Sequence, residues 1–157
     1  MKIKQTRDTL STVYLDAVKI RNTIFVQGQG VPLSIEIDKN EARCIHFVLY
    51  DDNNSPLATC RLLPNKQKDV MTLQRMAVLD SHQGLGLGRM ILQAAEKFAK
   101  EQGFKKVTLH AQISAYSFYA KNGYTPVGER FLEAGIEHIT VEKFLQSKRA
   151  GTVLYAD

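Results

Sequence analysis

Apolar residues recur along this chain with two different periods, and each period predicts a type of secondary structure. Within residues 11–26 the apolar positions stand three or four residues apart, at Val13, Ala17, Ile20 and Ile24. This spacing places them on one face of a helix. Ser11, with its short hydroxyl side chain, is a suitable N-cap for the first turn. We therefore predict an amphipathic helix from Ser11 to Val26.

Two more helices are predicted in the second half of the chain. The first has one apolar face and a glycine, Gly103, just past its last turn, where a C-terminal glycine belongs. That face is formed by Leu87, Ile91, Ala94, Ala95 and Phe98. The second helix is short, covers residues 114–122 and is closed by Gly123.

Runs of β-branched and aromatic residues between turn-forming residues predict the strands. These runs cover residues 2–7, 43–50, 57–63, 70–78, 105–111, 124–131 and 136–144. The five residues DDNNS favour a tight turn, so the second and third strands form a hairpin. Residues 27–42 lack a clear period and contain two glycines and a proline, so we predict a loop there. Strands and helices in this order predict a mixed α/β domain.

Composition is that of a single soluble domain. The chain has 157 residues, of which 44% are hydrophobic and 24% charged. No apolar run is long enough to span a bilayer, and Arg7 and Asp8 interrupt the place of a signal-peptide core. We therefore expect a cytoplasmic protein. Cys44 and Cys60 do not make a disulfide framework or a metal site, and we expect buried, reduced thiols.

The net charge of +5 permits an anionic ligand or partner but does not identify one. Lys and Arg are spread along the whole chain, and no tract resembles a nucleic-acid-binding motif. We expect neither a nucleic-acid nor a membrane partner. A solvated basic surface explains the charge, and an anionic cofactor is the specific alternative.

The ten residues SHQGLGLGRM carry the strongest chemical signal. Gly84, Gly86 and Gly88 alternate between a predicted strand and a predicted helix. A Walker loop would need Lys and Ser or Thr after the last glycine, and a dinucleotide fingerprint would need glycine where Arg89 or Ile91 stands.

What remains is Gln-x-x-Gly-x-Gly before a helix. The first turn of a helix offers unpaired N–H groups and a partial positive charge, and glycines let a phosphate approach. A strand-to-helix turn without a ligand is the alternative.

Two segments together resemble a known family. RMAVLDSHQGLGLGRMIL resembles motif A of the GNAT superfamily of N-acetyltransferases, and SAYSFYAKNGY resembles its motif B helix. In the second segment the matching residues are Ala115, Phe118, Tyr119, Lys121, Gly123 and Tyr124. The front half, together with CRLLP and GIEHI, resembles the ElaA/YjcF-like branch. One departure is Gly28-Gln29, where that branch often has Glu-Gln.

This resemblance implies a fold and a ligand. The fold would be a single GNAT domain over residues 1–145, with a mixed, mostly antiparallel sheet flanked by helices and splayed at the acyl-CoA site. Residues 146–157 would be a tail or contact segment, and a homodimer is compatible with the family. The cosubstrate would be acetyl-CoA or another acyl-CoA.

The resemblance also implies which residues bind the cosubstrate. The pyrophosphate would be held by Gln83, Gly84, Leu85, Gly86, Leu87, Gly88 and Arg89. The backbone of Met76, Ala77 and Val78 would pair with the pantetheine arm. Gln112 stands where many members have an Asn that bonds the same arm, and Ala115 belongs to the same site.

The implied reaction is direct attack of a primary amine on the thioester. A strand amide near Ala77–Val78 would stabilise the oxyanion, and Tyr119 would give the leaving thiolate a proton or a hydrogen bond. No base is singled out by the sequence, because Thr72, Gln74 and Arg75 on the motif A strand are unsuited to the role. The open candidates are His46, His110, His138, Glu36 and Asp38. Arg61 and Arg75 either bind an acidic substrate or face solvent.

The acceptor amine, whether on a small molecule, a peptide or a protein, is not revealed by the sequence. Two other functions stay open. The missing base and Gly28 favour a non-catalytic, acyl-CoA-binding regulatory module. The RLLP stretch and the acidic loop suggest a relative of the acyl-homoserine-lactone synthases.

Overall fold

The computed structural model describes residues 1–145, with strands and helices in the predicted order and one additional short helix. The strands are β1 (Lys2–Thr6), β2 (Ile45–Tyr50), β3 (Pro56–Pro64), β4 (Val70–Val78), β5 (Lys106–Gln112), β6 (Thr125–Glu133) and β7 (Ile136–Phe144). The helices are α1 (Thr12–Arg21), α2 (Leu33–Glu36), α3 (Leu87–Glu101) and α4 (Tyr116–Lys121). The predicted tail at 146–157 lies outside the described residues.

The strands form a seven-stranded mixed sheet in the order β1-β2-β3-β4-β5-β7-β6. The β4–β5 ladder is parallel, whereas β1–β2, β2–β3, β5–β7 and β6–β7 are antiparallel. The predicted mixed, mostly antiparallel sheet is therefore confirmed.

The chain divides into two compact units. One contains Met1–Pro64 and Leu73–Ala95, hence β1, β2, β3 and the end of β4. The other contains Asn65–Thr72 and the chain from Glu96 onward. In this second unit the first three residues of β4 pair with β5, from Val70 opposite Lys106 to Thr72 opposite Thr108.

Helix α1 confirms its predicted cap and buried face. The Ser11 hydroxyl accepts a hydrogen bond from the Tyr14 amide at 3.2 Å. Ala17 and Ile20 are buried against Val48, Tyr50 and Ala77, and Val13 and Ile24 pack against the same cluster.

The predicted end of this helix is wrong. Regular α-helix stops at Arg21, and Asn22–Gly28 is a π-helix. Apolar spacing did not show this change, because Ile20 and Ile24 stand four residues apart, a separation that keeps both near one face in either helix type.

The predicted loop at 27–42 is wrong in part. It contains α2 and leads into a short 3₁₀ turn at Glu41–Arg43. A helix of four residues is too short to produce a readable period. Ion pairs with arginines of α1, β3 and β4 hold this segment in place.

The two cysteines are buried and free, as predicted. Burial raises the pKa of Cys44 to about 11, so it is a neutral thiol at physiological pH. Burial also raises the pKa of Cys60. Within residues 1–145, none of the helices is both long and apolar enough to span a membrane.

Candidate active site

The glycine loop, residues 83–89, connects β4 to α3 in the first unit. Gly84 has φ +81° and Gly86 has φ +79°. Side chains with a Cβ rarely adopt this left-handed conformation. A Cβ built at either glycine meets no described atom within 4 Å. The glycines are therefore required by the backbone conformation, and the space beside them is open.

Gly86 also serves as the cap of α3. Its carbonyl accepts the hydrogen bond of the Met90 amide at 3.1 Å, and the helix proper begins at Leu87. The amides of Leu87, Gly88 and Arg89 belong to the first turn, which has no carbonyl partners within the helix. Since Gly86 has no side chain to cap them, these amides and the helix dipole favour an anion at this end.

The side chains of the loop are arranged around this helix start. Arg89 and Leu85 are exposed, whereas Leu87 is buried and anchors the turn in the core. The Gln83 side-chain amide donates to the Asp80 carboxylate at 3.1 Å and to the Val78 carbonyl at 3.4 Å. These two hydrogen bonds hold the loop against the end of β4. Because they engage the Gln83 side chain, a phosphate would be bound by the Gln83 backbone.

Strand β4 changes its backbone conformation three residues before it ends. Arg75 has φ +58°, which is unusual for a non-glycine residue in a strand. Met76, Ala77 and Val78, the predicted pantetheine-binding residues, follow this irregularity directly. Ala77 is buried, while Met76 and Val78 are half-buried.

A charged cluster lies beside this part of β4, and sequence reasoning missed it. The cluster consists of Arg21, Arg61, Arg75, Glu36, Asp38 and Glu41. We call it the arginine–carboxylate cluster. Its three guanidinium and three carboxylate groups balance in charge, so the cluster can be buried without a net charge.

Arg21 is the centre of the cluster and is only 1% exposed. Its Nε and Nη2 donate to the two Glu36 carboxylate oxygens at 2.6 and 2.7 Å. Its Nη1 and Nη2 donate to Glu41 at 2.8 and 2.9 Å. Two bidentate pairs on one guanidinium fix the segment between α1 and β2 to the last turn of α1.

Arg61 and Arg75 extend the cluster to β3 and β4. Arg61 donates to both Asp38 oxygens, at 3.1 and 2.9 Å, and to Glu41. Arg75 donates from Nε and Nη2 to the Glu36 carbonyl, at 3.2 and 3.1 Å. Arg61 neither faces solvent nor is placed to bind an acidic substrate. Its guanidinium is buried in ion pairs with Asp38 and Glu41.

These contacts remove three of the predicted base candidates. Burial would raise the pKa of Asp38, but the hydrogen bonds and charge of Arg61 outweigh it and hold that pKa below its usual value. Glu36 is buried between arginines. His46 is fully buried, and burial lowers its pKa. Carboxylates bound to arginine and a sealed imidazole are poorly placed to take a proton from a substrate.

The second unit contains the predicted tyrosine. Tyr119 lies on α4 and is 5% exposed. Its ring meets those of Phe118 and Tyr124 edge-to-face, with centroids 5.0 and 5.7 Å apart. Tyr124 is itself fixed, since its hydroxyl donates to Glu96 at 2.7 Å. The aromatic contacts therefore hold the Tyr119 ring in one orientation.

Gln112 and Ala115 precede this tyrosine in the same unit. Gln112 ends β5 and pairs with His138 of β7. Ala115 ends a 3₁₀ turn at Ile113–Ala115 and stands directly before α4. Both are half-buried. The candidate residues of the second unit therefore lie on consecutive elements. Gln112 ends β5, Ala115 ends the 3₁₀ turn, and Tyr119 lies on α4.

The two other candidate histidines, His110 and His138, share one carboxylate. His110 Nδ1 lies 2.9 Å from Glu133 Oε1, and His138 Nε2 lies 3.8 Å from Glu133 Oε2. His110 is half exposed, whereas His138 is buried. In the part of the chain that the structure describes, His, Cys, Asp and Glu form no group of three suited to a metal ion.

Comparisons with known proteins identify the family and the fold. Residues 33–145 match the family model described as an acetyltransferase (GNAT) domain. The uncharacterized N-acetyltransferase YjcF of Bacillus subtilis is 39% identical over 130 residues, which cover 82% of this chain and 90% of YjcF.

Two solved structures share the fold. The acyl-CoA N-acyltransferase of Pseudomonas aeruginosa superposes with a TM-score of 0.78 at 25% identity, covering 90% of this chain and 99% of its own. Escherichia coli ElaA superposes with a TM-score of 0.80 at 22% identity, covering 91% and 99%. The chain therefore belongs to the GNAT family of acetyltransferases, in the ElaA/YjcF-like branch, and is an acyl-CoA-dependent N-acyltransferase.

Proposed function

We propose that this protein transfers the acetyl group of acetyl-CoA to a primary amine by direct attack. The acceptor is a small molecule, a peptide or a protein. The observation that carries the proposal is the glycine loop, in which two left-handed glycines open the N-terminus of α3. Such a helix start suits a pyrophosphate, because backbone amides and the helix dipole both favour negative charge.

The residues of the first unit would hold the cosubstrate mainly through their backbone. Residues 83–88 and Arg89 bind the pyrophosphate, with the exposed guanidinium adding a positive charge. Met76, Ala77 and Val78 pair with the pantetheine arm in the manner of an added strand. Support comes from the conformation of Arg75, which interrupts the regular strand directly before them. The resemblance to the family supports Gln112 and Ala115 as further acetyl-CoA-binding residues.

Tyr119 would assist the leaving thiolate, and an amide near Ala77–Val78 would stabilise the oxyanion. A thiol has a pKa of about 8.5 and a tyrosine about 10, so full proton transfer is uphill by roughly 2 kcal/mol. A hydrogen bond from the hydroxyl supplies much of the stabilisation without that transfer. The fixed ring of Tyr119 supports this role, because a preoriented donor loses little entropy on engaging the thiolate.

The first experiment is calorimetric titration with acetyl-CoA of the wild type and of two glycine variants. Gly86→Glu puts a carboxylate at the start of α3. Gly103→Glu is the matched control, because Gly103 also has a positive φ, +86°, and open space, but follows the other end of the helix. Both variants carry the same backbone strain and the same added charge.

We expect micromolar binding by the wild type and by Gly103→Glu, and loss of binding in Gly86→Glu. Equal binding by the two variants would show that the glycine loop does not hold the pyrophosphate. Release of free thiol in the presence of amines then separates an enzyme from a regulatory module that binds acetyl-CoA without turnover.

Three sequence predictions stay predictions: a homodimer, a cytoplasmic location and a contact role for residues 146–157. Sedimentation of the full chain and of a chain ending at residue 145 would test the first and third together.

A further inference from the structure

The cross-strand register of β5, β6 and β7 places a histidine beside the end of β5. Gln112 of β5 is paired with His138 of β7, and His138 is paired with Phe131 of β6. Directly paired residues of antiparallel strands project from the same face of the sheet. The His138 side chain therefore stands on the same face as that of Gln112, which we have proposed to contact the pantetheine arm.

The orientation of the His138 ring is fixed by two contacts. Its Nδ1 lies 2.7 Å from the Ile136 carbonyl oxygen. Since a carbonyl can only accept, Nδ1 carries the hydrogen, and Nε2 of the neutral ring keeps its lone pair. The Phe131 ring stacks on His138 with 24° between the planes. His138 is thus a buried imidazole, 6% exposed, with its tautomer set by the fold.

The charged groups that face this ring come from the two neighbouring strands. Glu133 of β6 places its Oε2 3.8 Å from His138 Nε2. His110 of β5 lies against the other oxygen of Glu133, at 2.9 Å. An ionised carboxylate has no hydrogen to donate to the Nε2 lone pair, and its negative charge stabilises the imidazolium that forms when Nε2 gains a proton. The arrangement suits a proton acceptor.

We propose that His138 is the general base that receives the proton of the acceptor amine, an inference that rests on the proposed function. The amine nitrogen attacks the thioester carbon, the new C–N bond forms, and the carbonyl π pair moves onto oxygen. Nε2 of His138 takes one proton from the attacking nitrogen. The oxygen pair then reforms the carbonyl, the C–S bond breaks, and the sulfur receives a hydrogen bond or proton from Tyr119. His138 returns its proton to water, and where Tyr119 has given its proton to the sulfur it regains one from water.

The test uses His138→Gln and the matched control His110→Gln, which alters the other histidine bound to Glu133. Thiol release from acetyl-CoA is measured with three amine probes: spermidine, free lysine and a lysine-containing peptide. We expect His138→Gln to bind acetyl-CoA as the wild type does and to lose about 10²-fold or more in kcat/KM, the usual range for a general base. His110→Gln stays within a few-fold of the wild type. Equal loss in both variants, or no loss in His138→Gln, overturns the proposal.

Comparing binding with rate distinguishes a base from a structural residue. Glu133→Gln leaves His138 in place and removes the carboxylate beside its Nε2. We expect kcat/KM to fall while the affinity for acetyl-CoA stays that of the wild type, because the positive charge that forms on His138 during the reaction loses a nearby negative charge. An unchanged kcat/KM, or a parallel loss of affinity, contradicts the role given to His138.

If none of the three amine probes is acetylated, nitrogen NMR of histidine-labelled wild-type protein tests the role of His138 instead. We expect the hydrogen of His138 on Nδ1, as the Ile136 carbonyl requires, and a change in its Nε2 resonance on saturation with acetyl-CoA. The opposite tautomer, or an unchanged resonance in the acetyl-CoA complex, overturns the proposal for His138 alone. Failure of the wild type to bind acetyl-CoA overturns the proposed function and this inference with it.

Discussion

At the scale of the residue, the proposed site depends mainly on the backbone conformation of three residues and on the ring of Tyr119. Gly84 and Gly86 adopt positive φ in open space, so their conformation rather than close packing requires glycine. Arg75 adopts positive φ without being glycine, at the strand position before the residues proposed to bind pantetheine. Such conformations persist where the surrounding structure enforces them, and they cluster at functional sites.

Tyr119→Phe tests the proposed leaving-group role at this scale. The substitution removes one hydroxyl and keeps the ring between Phe118 and Tyr124. We expect unchanged affinity for acetyl-CoA and a loss of about 10²-fold in kcat, as for other groups that assist proton transfer. Calorimetry measures the affinity and thiol release measures the rate.

Tyr116→Phe is the matched control, because Tyr116 starts the same helix and is half-buried. Its kcat should stay within a few-fold of the wild type. If Tyr119→Phe turns over as fast as this control, the hydroxyl has no part in the reaction.

At the scale of the element, the segment between α1 and β2 is held by charge rather than by its own secondary structure. Its only α-helix within the described residues, α2, has four residues, too few to be stable alone. Glu36, Asp38 and Glu41 instead pair with arginines of α1, β3 and β4. The Tyr14 hydroxyl also donates to Glu41, at 2.7 Å.

Glu41→Gln tests how much this cluster contributes to stability. The change keeps the shape of the side chain but leaves Arg21 and Arg61 with less negative charge in a buried place. We expect a loss of about 3 kcal/mol in the free energy of unfolding, because removing one partner of a buried ion pair leaves an uncompensated charge. Guanidinium chloride unfolding measures the loss.

Glu129→Gln is the control on the exposed strand β6 and should change the unfolding free energy by less than about 0.5 kcal/mol. A similarly small effect of Glu41→Gln would mean that the cluster is dispensable for folding.

At the scale of the whole molecule, the stability of the protein should fall in two stages as the pH is lowered. Burial lowers the pKa of His46 below its ordinary value of about 6.5, so the unfolded chain takes up this proton first. Stability is therefore full above about pH 6.5 and declines below it, by at most about 1.4 kcal/mol per pH unit.

The carboxylates produce the second stage. Burial opposes ionisation of Asp38 and Glu41, but arginine contacts outweigh it and leave both pKa values below their ordinary range. Their contribution is present above about pH 4.5 and is lost as the pH falls through the lowered values.

Urea unfolding midpoints measured between about pH 7.5 and 2.5 check both stages, with His46→Gln as the control that removes the first stage only. A wild-type midpoint that stays constant from about pH 6.5 to 5 would contradict the assignment to His46.

Particular residues show how far sequence reasoning reached. Ser11 was identifiable as a cap, and Gly86 as part of a glycine turn before a helix, because both features depend on immediate neighbours. Arg21 was not identified, although it follows Ile20 on the buried side of α1 and so interrupts an apolar face. Arg61 gave a comparable signal, as a charged residue inside the buried strand β3. A cation at an apolar position predicts burial with a carboxylate, but not which carboxylate.

The sequence by itself determined the order of strands and helices, the glycine loop and the family, since each depends on local spacing that a linear chain displays. Tertiary structure alone decided the surroundings of the five candidate bases. Glu36 and Asp38 are paired with arginines distant in the chain, and His46 is buried against Tyr14. His138, which we propose as the base, has its Nδ1 hydrogen fixed by a local carbonyl and Glu133 brought beside it by strand register. Proton affinity depends on distances between groups, and only folding sets those distances.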